Sequence, residues 1–344
     1  MKKVLYFLFA AVIFSGIASA QDNNPKFSGL MFGDYFYNID SHDTTKKDLN
    51  GFQFRRIYIT TDYAISEKFD TRFRLEADQG SGSLTAGGKI GVMVKDAWFK
   101  WKNIFQGSDF VFGLSPTPAF DVSEAAWGYR SLEKTIMDFN GIVSSRDLGI
   151  DLKGKFNEQG TMKYWVKIGN NSGNSPEVNK YKRYYGLLQF IPIKNFQFTV
   201  YGDYASNPQI RDLNNELKDH GTFTGAVMLN VKEKDKYSVG VESFYRSQAN
   251  NYYNASSNTL ESQTGYGVSV FAWVGLTDMI RIVGRFDTVD PNTDVDKDGR
   301  NLIIGALDFR VDKNVSIMPN VEALTYQSDL ANDVTGRVTL FYQF

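Results

Sequence analysis

The chain has 344 residues, with 38 Lys and Arg against 39 Asp and Glu, two His and no Cys. A formal net charge of −1 excludes a polycation built to bind nucleic acid. The lack of cysteine excludes disulfides, thiolate metal sites and cysteine nucleophiles. Aromatic residues reach 15 % although only 42 % of the chain is hydrophobic. The sequence therefore needs an architecture that uses aromatic residues without long apolar runs.

Residues 1–20 have the three parts of a cleavable export signal. Two lysines near the start are followed by an apolar core from Val4 to Phe14 and by the small residues Ala18-Ser19-Ala20. This core is shorter than the ~20 residues that a membrane-spanning helix needs, which disfavours the alternative of an uncleaved anchor. We predict that the mature chain begins near Gln21 and carries a net charge of −3, because it loses two lysines.

From Phe27 to Phe344 the apolar and polar residues alternate with a period of two. One face of the segment 69–77 carries Phe69, Thr71, Phe73, Leu75 and Ala77, and the residues between them are mostly charged. A helix would mix these two sets on every face, so the pattern predicts strands. Sixteen segments follow it, near 27–38, 51–65, 68–78, 92–102, 108–115, 147–156, 161–170, 181–191, 195–205, 220–231, 236–247, 263–275, 278–288, 300–311, 314–326 and 334–344.

The connections between these segments alternate between tight turns and longer stretches rich in Asn, Asp, Ser and Gly. Such alternation is typical of an up-and-down barrel across an outer membrane, with short periplasmic turns and long external loops. The last strand ends on Phe344, which resembles the assembly signal of bacterial outer-membrane barrels. We therefore predict one all-β domain, residues 21–344, forming a sixteen-stranded antiparallel transmembrane barrel in outer-membrane lipid. A secreted soluble all-β protein is the alternative.

The third long connection, residues 116–146, is much longer than the others. Ser123–Trp127 and Ser131–Phe139 each begin with Ser and carry a Glu soon after, which favours two short helices. A barrel of this size leaves an aqueous channel. We predict that this partly apolar loop folds inward and forms a constriction; an external loop that makes subunit contacts is the alternative.

Several short motifs in residues 50–155 together resemble the phosphate-selective porin O and P family. They are Phe54-Arg55-Arg56, Phe73-Arg74-Leu75-Glu76-Ala77-Asp78, Lys95-Asp96-Ala97-Trp98, Phe112-Gly113, Tyr129-Arg130-Ser131-Leu132-Glu133-Lys134 and Ser145-Arg146-Asp147-Leu148-Gly149. The resemblance implies an outer-membrane porin, a homotrimer, and in some members selection of anions by basic residues in the pore.

Strand parity places more basic than acidic side chains toward the lumen. We expect Arg72, Arg74, Arg130 and Lys134 near the constriction, and Arg146, Arg281 and Arg285 elsewhere on the pore lining. Paired guanidinium groups suit carboxylate or phosphate because they donate two parallel hydrogen bonds. Acidic residues interleave with these cations, so we expect a mild anion preference rather than a dedicated phosphate site. A mixed-charge, weakly selective wall is the alternative.

An acidic loop near residue 295 has the spacing of a calcium-binding loop. Asp294, Asp296 and Asp298 alternate before Gly299, so their carboxylates could converge on one hard cation. The twelfth position of the pattern is Gly305 instead of the bidentate Glu. A solvated acidic turn is the alternative, and no other cofactor is expected.

These features predict an outer-membrane porin through which small hydrophilic solutes or anions diffuse passively. His42 and His220 fall in or beside external loops without a triad-like spacing to Ser or Asp, so we do not expect an enzyme. No nucleic-acid partner is expected. The alternative is a surface adhesin or structural outer-membrane barrel that acts through its external loops.

Overall fold

Sixteen antiparallel strands close into a single barrel, as the alternation predicts. The computed structural model describes residues 24–80, 84–85 and 87–344. The predicted export signal, residues 1–20, lies outside the described residues. The first barrel strand pairs with both the second and the last, for example through Leu30 with Tyr58 and Met31 with Tyr342. This closure leaves no free sheet edge, which is what a strand structure in hydrocarbon requires.

The strand limits lie close to those predicted, except at one hairpin. The strands are β1 (Lys26–Asp40), β2 (Asn50–Ala64), β3 (Phe69–Asp78), β4 (Gly91–Phe105), β5 (Ser108–Pro116), β6 (Arg146–Lys155), β7 (Met162–Gly169), β8 (Arg183–Ile193), β9 (Phe196–Ala205), β10 (Ile210–Arg211), β11 (Leu217–Lys218), β12 (Thr222–Glu233), β13 (Tyr237–Asn254), β14 (Thr259–Gly275), β15 (Ile280–Asp290), β16 (Arg300–Asp312), β17 (Val315–Tyr326) and β18 (Asp333–Gln343). All belong to the barrel except β10 and β11, which form a small hairpin of their own.

The β13–β14 connection differs from the prediction of a long loop over 248–262. Both strands continue past the barrel and pair as a hairpin, with Tyr252 opposite Glu261 and Asn254 opposite Thr259. Only residues 255–258 form the turn, in which Asn258 takes a positive φ of 55°. The polar residues of this segment are therefore held by cross-strand hydrogen bonds, and the alternation of long and short connections does not hold here.

The exterior of the barrel is apolar. On β16 and β18 the outward Ile303 and Val338 are 47 % and 50 % exposed, whereas the inward Leu302 and Thr339 are 2 % and 0 % exposed. A surface of this kind belongs in hydrocarbon and is the exterior expected of an outer-membrane barrel. Within the described ranges, no helix is long and apolar enough to cross a bilayer.

Helices are confined to connections. A short 3-10 helix covers Thr44–Lys46, and two α-helices, α1 (Pro118–Trp127) and α2 (Ile136–Phe139), lie in the connection between β5 and β6. We call the barrel end that carries this connection the loop end, and the opposite end, where the short connections such as 106–107 and 313–314 lie, the turn end. In outer-membrane barrels the short turns face the periplasm.

Candidate functional site

The connection between β5 and β6, residues 117–145, folds into the barrel, as predicted. Trp127, Ile136 and Met137 are completely buried although they lie in a connection. Two apolar clusters join this loop, which we call the constriction loop, to the inner wall. The first includes Phe120, Ile136, Met137, Trp165, Tyr185, Tyr201 and Phe244, and the second includes Trp127, Leu132, Met228, Phe271, Trp273 and Met318. Burial of these side chains is the main force that holds the loop inside.

The helices of the constriction loop begin at other residues than the sequence suggested. Helix α1 starts at Pro118, whose fixed φ suits the first helical position, and Thr117 is its N-cap. Ser123 therefore lies within the helix, where its hydroxyl donates to the Ala119 carbonyl at 3.3 Å. Helix α2 covers only Ile136–Phe139, because the residues before it form turns.

The tip of the constriction loop is fastened to the opposite wall by hydrogen bonds. Tyr129 donates its hydroxyl to Asp308 Oδ2 at 2.9 Å. Arg55 on β2 donates from Nη1 to the Leu132 carbonyl at 2.6 Å and from Nη2 to the Ser131 carbonyl. The loop thus crosses the lumen from β5 to the wall of β16, β17 and β2, and it narrows the channel.

Two β-bulges raise the density of charge on the wall beside the loop. Phe32 pairs with Arg56 and the next residue, Gly33, pairs with Phe54, so Arg55 is the extra residue of a bulge. In the same way, Lys95 is skipped in the pairing of β4 with β3. A bulge brings two consecutive side chains to one face. Arg55 with Arg56, and Lys95 with Asp96, therefore all point inward.

The first bulge depends on a glycine. A Cβ atom at Gly33 would lie 2.3 Å from the main-chain oxygen of Gln53, far inside van der Waals contact. Any other residue at this position would have to move the backbone of β2. The small residue in β1 is therefore what lets β2 bulge and turn Arg55 toward the loop.

Carboxylates on this wall are shared between cations. Glu76 lies 2.9 Å from Arg56 Nε and 2.8 Å from Lys95 Nζ. Asp96 lies 3.3 Å from Arg74 Nη1 and 2.5 Å from Arg146 Nε. Each carboxylate neutralises only one of its two partners, so each trio leaves one positive charge.

The constriction loop presents the opposite arrangement. Arg130 lies 3.5 Å from Glu124 and 3.5 Å from Asp138, so one cation is shared by two acids. Glu133 lies 4.0 Å from Arg55, which itself pairs with Asp34 at 2.6 Å. A basic wall therefore lies beside a more acidic loop, and both line the same part of the lumen.

A cavity of about 370 Å³ lies between this wall and the loop tip. The cations that line it are Arg56, Arg74, Arg130, Arg281, Arg310 and Lys313, whereas Glu124 and Asp308 are the lining acids. Aromatic rings of Phe32, Tyr58, Tyr129 and Phe341 also line it. Arg56 and Arg74 both lie over the ring of Tyr58, at 5.0 and 4.7 Å from its centre. The cavity thus combines an excess of positive charge with aromatic surfaces that hold the guanidinium groups in place.

The predicted site residues fall into three groups. Arg74, Arg130 and Arg281 line this cavity, and Arg146 joins it through Asp96. Arg72 forms a separate bidentate pair with Asp62, at 2.7 and 2.9 Å.

Arg285 differs from the prediction of a pore-lining residue. It is only 4 % exposed and pairs with Asp287 at 2.5 Å. It also donates to the main-chain carbonyl of Lys134 and lies 5.2 Å from the ring centre of Trp127. Arg285 therefore anchors the constriction loop from beneath, and Lys134 meets it through the backbone. Arg285 does not line the pore because the constriction loop covers this part of the wall.

The sequence reasoning missed Arg55, Arg56 and Lys95 as inward residues. Strict alternation can place only one residue of a consecutive pair in the lumen, so it could not place both Arg55 and Arg56, nor Lys95 beside Asp96; a bulge breaks that rule. The signal that could have revealed them was the adjacency of two charged residues within an otherwise alternating strand, at Arg55-Arg56 and at Lys95-Asp96.

The acidic loop between β15 and β16 does not assemble the predicted calcium ligands. Within the part of the chain that the structure describes, no group of three or more acidic or histidine side chains is arranged to hold a metal ion. Asp294 and Asp296 point to solvent, while Asp298 is partly buried. Burial, and then repulsion from Asp290, raise the pKa of Asp298. The calcium site at this loop therefore stays a prediction.

Comparison with known proteins gives matches in structure only. No protein-family model and no curated protein sequence matches the chain. The outer membrane channel DcaP of Acinetobacter baumannii superposes with a TM-score of 0.70 at 14 % identity, covering 96 % of this chain and all of the other. An anion-selective porin from Comamonas acidovorans gives 0.66 at 9 % identity, covering 94 % and 100 %. The trimer form of OmpT from Vibrio cholerae gives 0.63 at 9 % identity, covering 94 % and 100 %.

At these identities the likeness concerns the fold. It extends over nearly the whole length of each chain. The resemblance to the phosphate-selective porins stays a prediction. The chain has the sixteen-stranded barrel fold of outer-membrane porins.

Proposed function

We propose that this protein is a passive outer-membrane channel for small hydrophilic solutes with a mild preference for anions. The observation that carries the proposal is the cavity beside the constriction loop, in which six cations and two acids line the space. The cavity lies inside a closed barrel whose exterior is apolar. A low-dielectric wall with an excess of one charge raises the local concentration of the opposite ion.

The constriction supplies two criteria for passage. The loop tip, held by Tyr129 and Arg55, limits the size of the solute. The shared carboxylates Glu76 and Asp96 favour the passage of negatively charged solutes, because each leaves one of its two cationic partners uncompensated. Guanidinium groups donate parallel hydrogen bonds to planar anions such as carboxylates. An anion therefore exchanges part of its hydration for these donors, with no chemical step and no cofactor.

Assembly and export complete the proposal. We infer a homotrimer in outer-membrane lipid, which the resemblance in residues 50–155 implies and the trimer form of OmpT supports as an analogy. We also infer that residues 1–20 are removed on export. Terminal sequencing of the protein from outer membranes should then begin at Gln21, and intact Lys2 and Lys3 would contradict cleavage.

The test is single-channel conductance of the purified protein in a planar bilayer, with the reversal potential measured under a KCl gradient. We expect steady openings in groups of three and a reversal potential displaced toward the chloride equilibrium potential. A correctly inserted barrel without conductance would contradict the channel and favour the adhesin or structural alternative. A reversal potential on the potassium side would refute the anion preference.

Adding phosphate during the same recordings tests the finer resemblance. Block of the chloride current by a low phosphate concentration would favour a dedicated phosphate site. Because acids interleave with the cations of the cavity, we expect phosphate to act only as one anion among others. Acetate at equal ionic strength is the matched control, since it carries a single charge.

A further inference from the structure

The two ends of the channel carry surplus charge of opposite sign. At the turn end, Asp70 is shared by Lys100 at 3.3 Å and Lys102 at 2.9 Å. Asp235 is likewise shared by Arg281 at 2.9 Å and Arg310 at 3.4 Å. As at the constriction wall, each shared carboxylate leaves one positive charge.

A second feature of the turn end adds to this surplus. A cavity of about 460 Å³ is lined by Lys153, Lys155 and Lys163, with Asp109 and Asp121 as the lining acids. Among the described residues, none of these three lysines forms an ion pair with a carboxylate, and Lys155 Nζ donates to the main-chain carbonyl of Glu158 at 2.9 Å. Lys153 Nζ instead lies 4.3 Å from the ring centre of Trp165. The three side chains come from inward positions of β6 and β7, so their charges face the lumen.

The loop end shows the reverse pattern. Lys218 is the single cation for two acids, Asp212 at 3.5 Å and Glu216 at 2.8 Å. The loop between β15 and β16 carries Asp294, Asp296 and Asp298 with only Lys297 among them. Over the described loops and neighbouring strand ends, carboxylates outnumber lysines and arginines at the loop end, and the opposite holds at the turn end.

This separation of charge acts on the ions inside the channel. Near a fixed charge the mobile ion of opposite sign accumulates, so potassium is enriched at the loop end and chloride at the turn end. In about 0.1 M salt the screening length is ~10 Å, so the enrichment extends beyond the wall into the lumen. In about 1 M salt the length falls to ~3 Å, and the enrichment is confined to the wall.

We propose that the channel rectifies, passing more current when the side facing its loop end is positive. At that polarity, potassium from the loop end and chloride from the turn end both move toward the constriction and raise the ion concentration there. At the opposite polarity both ions move away and deplete it. The inference rests on the proposed function, because only a conducting channel can rectify.

The test needs channels of known orientation, and the chain offers a clean label. It contains no cysteine, so Ser256→Cys in the tip of the β13–β14 hairpin creates a single thiol at the loop end. A bulky membrane-impermeant thiol reagent can react with this thiol only from the chamber that the hairpin faces, so adding the reagent to one chamber reveals the orientation of the channel. Current is then recorded at equal voltages of both signs in about 0.1 M and about 1 M KCl.

At the lower salt we expect a ratio of currents of about 1.5, falling toward 1 at the higher salt. The triple variant Lys153→Gln, Lys155→Gln, Lys163→Gln should lower the ratio, because it removes the surplus at the turn end. Replacing the same three lysines by arginine keeps the charge and should keep the ratio. Replacing Asp294, Asp296 and Asp298 by asparagine should also lower the current ratio, because it removes negative charge at the loop end.

Three results would overturn the inference. They are a ratio of 1 in low salt, a larger current at the opposite polarity, and a ratio that the glutamine variant leaves unchanged. Absence of any current is a different outcome, because it contradicts the channel itself. The two failures are therefore distinguishable in the same recording.

Discussion

Replacing Trp127 by alanine should release the tip of the constriction loop while the barrel stays folded. Trp127 is fully buried at the end of α1. Its ring lies 5.5 Å from that of Phe271 and 5.7 Å from that of Tyr129. Its Nε1 donates to the Glu133 carbonyl at 2.9 Å, which holds the two halves of the loop tip together.

The size of the effect follows from these contacts. Truncating a buried aromatic side chain to alanine costs about 3–5 kcal/mol. Of this, the two ring contacts account for about 0.5–1.5 kcal/mol each and the hydrogen bond for about 1 kcal/mol. Since about 1.4 kcal/mol changes an equilibrium tenfold, docking of the tip weakens by a factor of roughly 100 or more. This loss of free energy affects the loop and not the barrel. Phe271 lies in β14, and the hydrogen-bonded ladders of β14 with β13 and β15 do not involve Trp127.

The assay is swelling of proteoliposomes in sugars of increasing size, with single-channel current noise as a second readout. The variant should admit larger sugars than the wild type and should show noisier openings. The matched control is Trp101→Ala, since Trp101 lies in β4, is 40 % exposed, and packs on Phe69 instead of the loop. Thermal unfolding of both variants, followed by gel mobility, checks that the barrel remains.

Two outcomes would refute this reasoning. If Trp127→Ala leaves the size limit and the noise unchanged, Trp127 does not hold the tip. If Trp101→Ala opens the channel equally, the effect reports a general loss of tryptophan.

Three further variants test the barrel wall and the cavity. Lys167→Met should destabilise the barrel by about 3–5 kcal/mol, because Asp151, which lies 3.1 Å from the lysine nitrogen, becomes an uncompensated buried charge. Urea unfolding measures this loss of stability, and an unchanged unfolding midpoint would contradict the prediction. Gly33→Val should reduce the yield of folded barrel, since its Cβ would lie 2.3 Å from a main-chain oxygen of β2; heat-modifiable gel mobility detects this, and normal folding would show that the bulge can relax. Arg281→Gln combined with Arg310→Gln removes two cations that line the cavity, so it should move the reversal potential toward the potassium side while conductance is retained. An unchanged reversal potential would mean that the cavity does not set the ion selectivity.

The strands could be read from the sequence because side-chain alternation is a local property. Each strand has one face in hydrocarbon and one toward the lumen, so Val338 and Leu340 had to be apolar while their neighbours did not. The same reasoning gave the inward placement of Arg74 and Arg281 and the inward fold of a long, partly apolar third loop. It failed at 248–262, where polar residues that are typical of loops pair as a hairpin.

The site depended on relations between distant residues. The sequence alone determined the barrel, its strand number, its apolar exterior and the identity of the long loop, since these follow from periodicity and connection length. Only the tertiary structure decided that Arg55 and Lys95 point inward, because a bulge arises from the pairing of two strands. It likewise decided that Glu76 and Asp96 are each shared by two cations, and that the loop covers Arg285. Charge at a constriction is a sum over side chains brought together from separate strands, and no local pattern contains that sum.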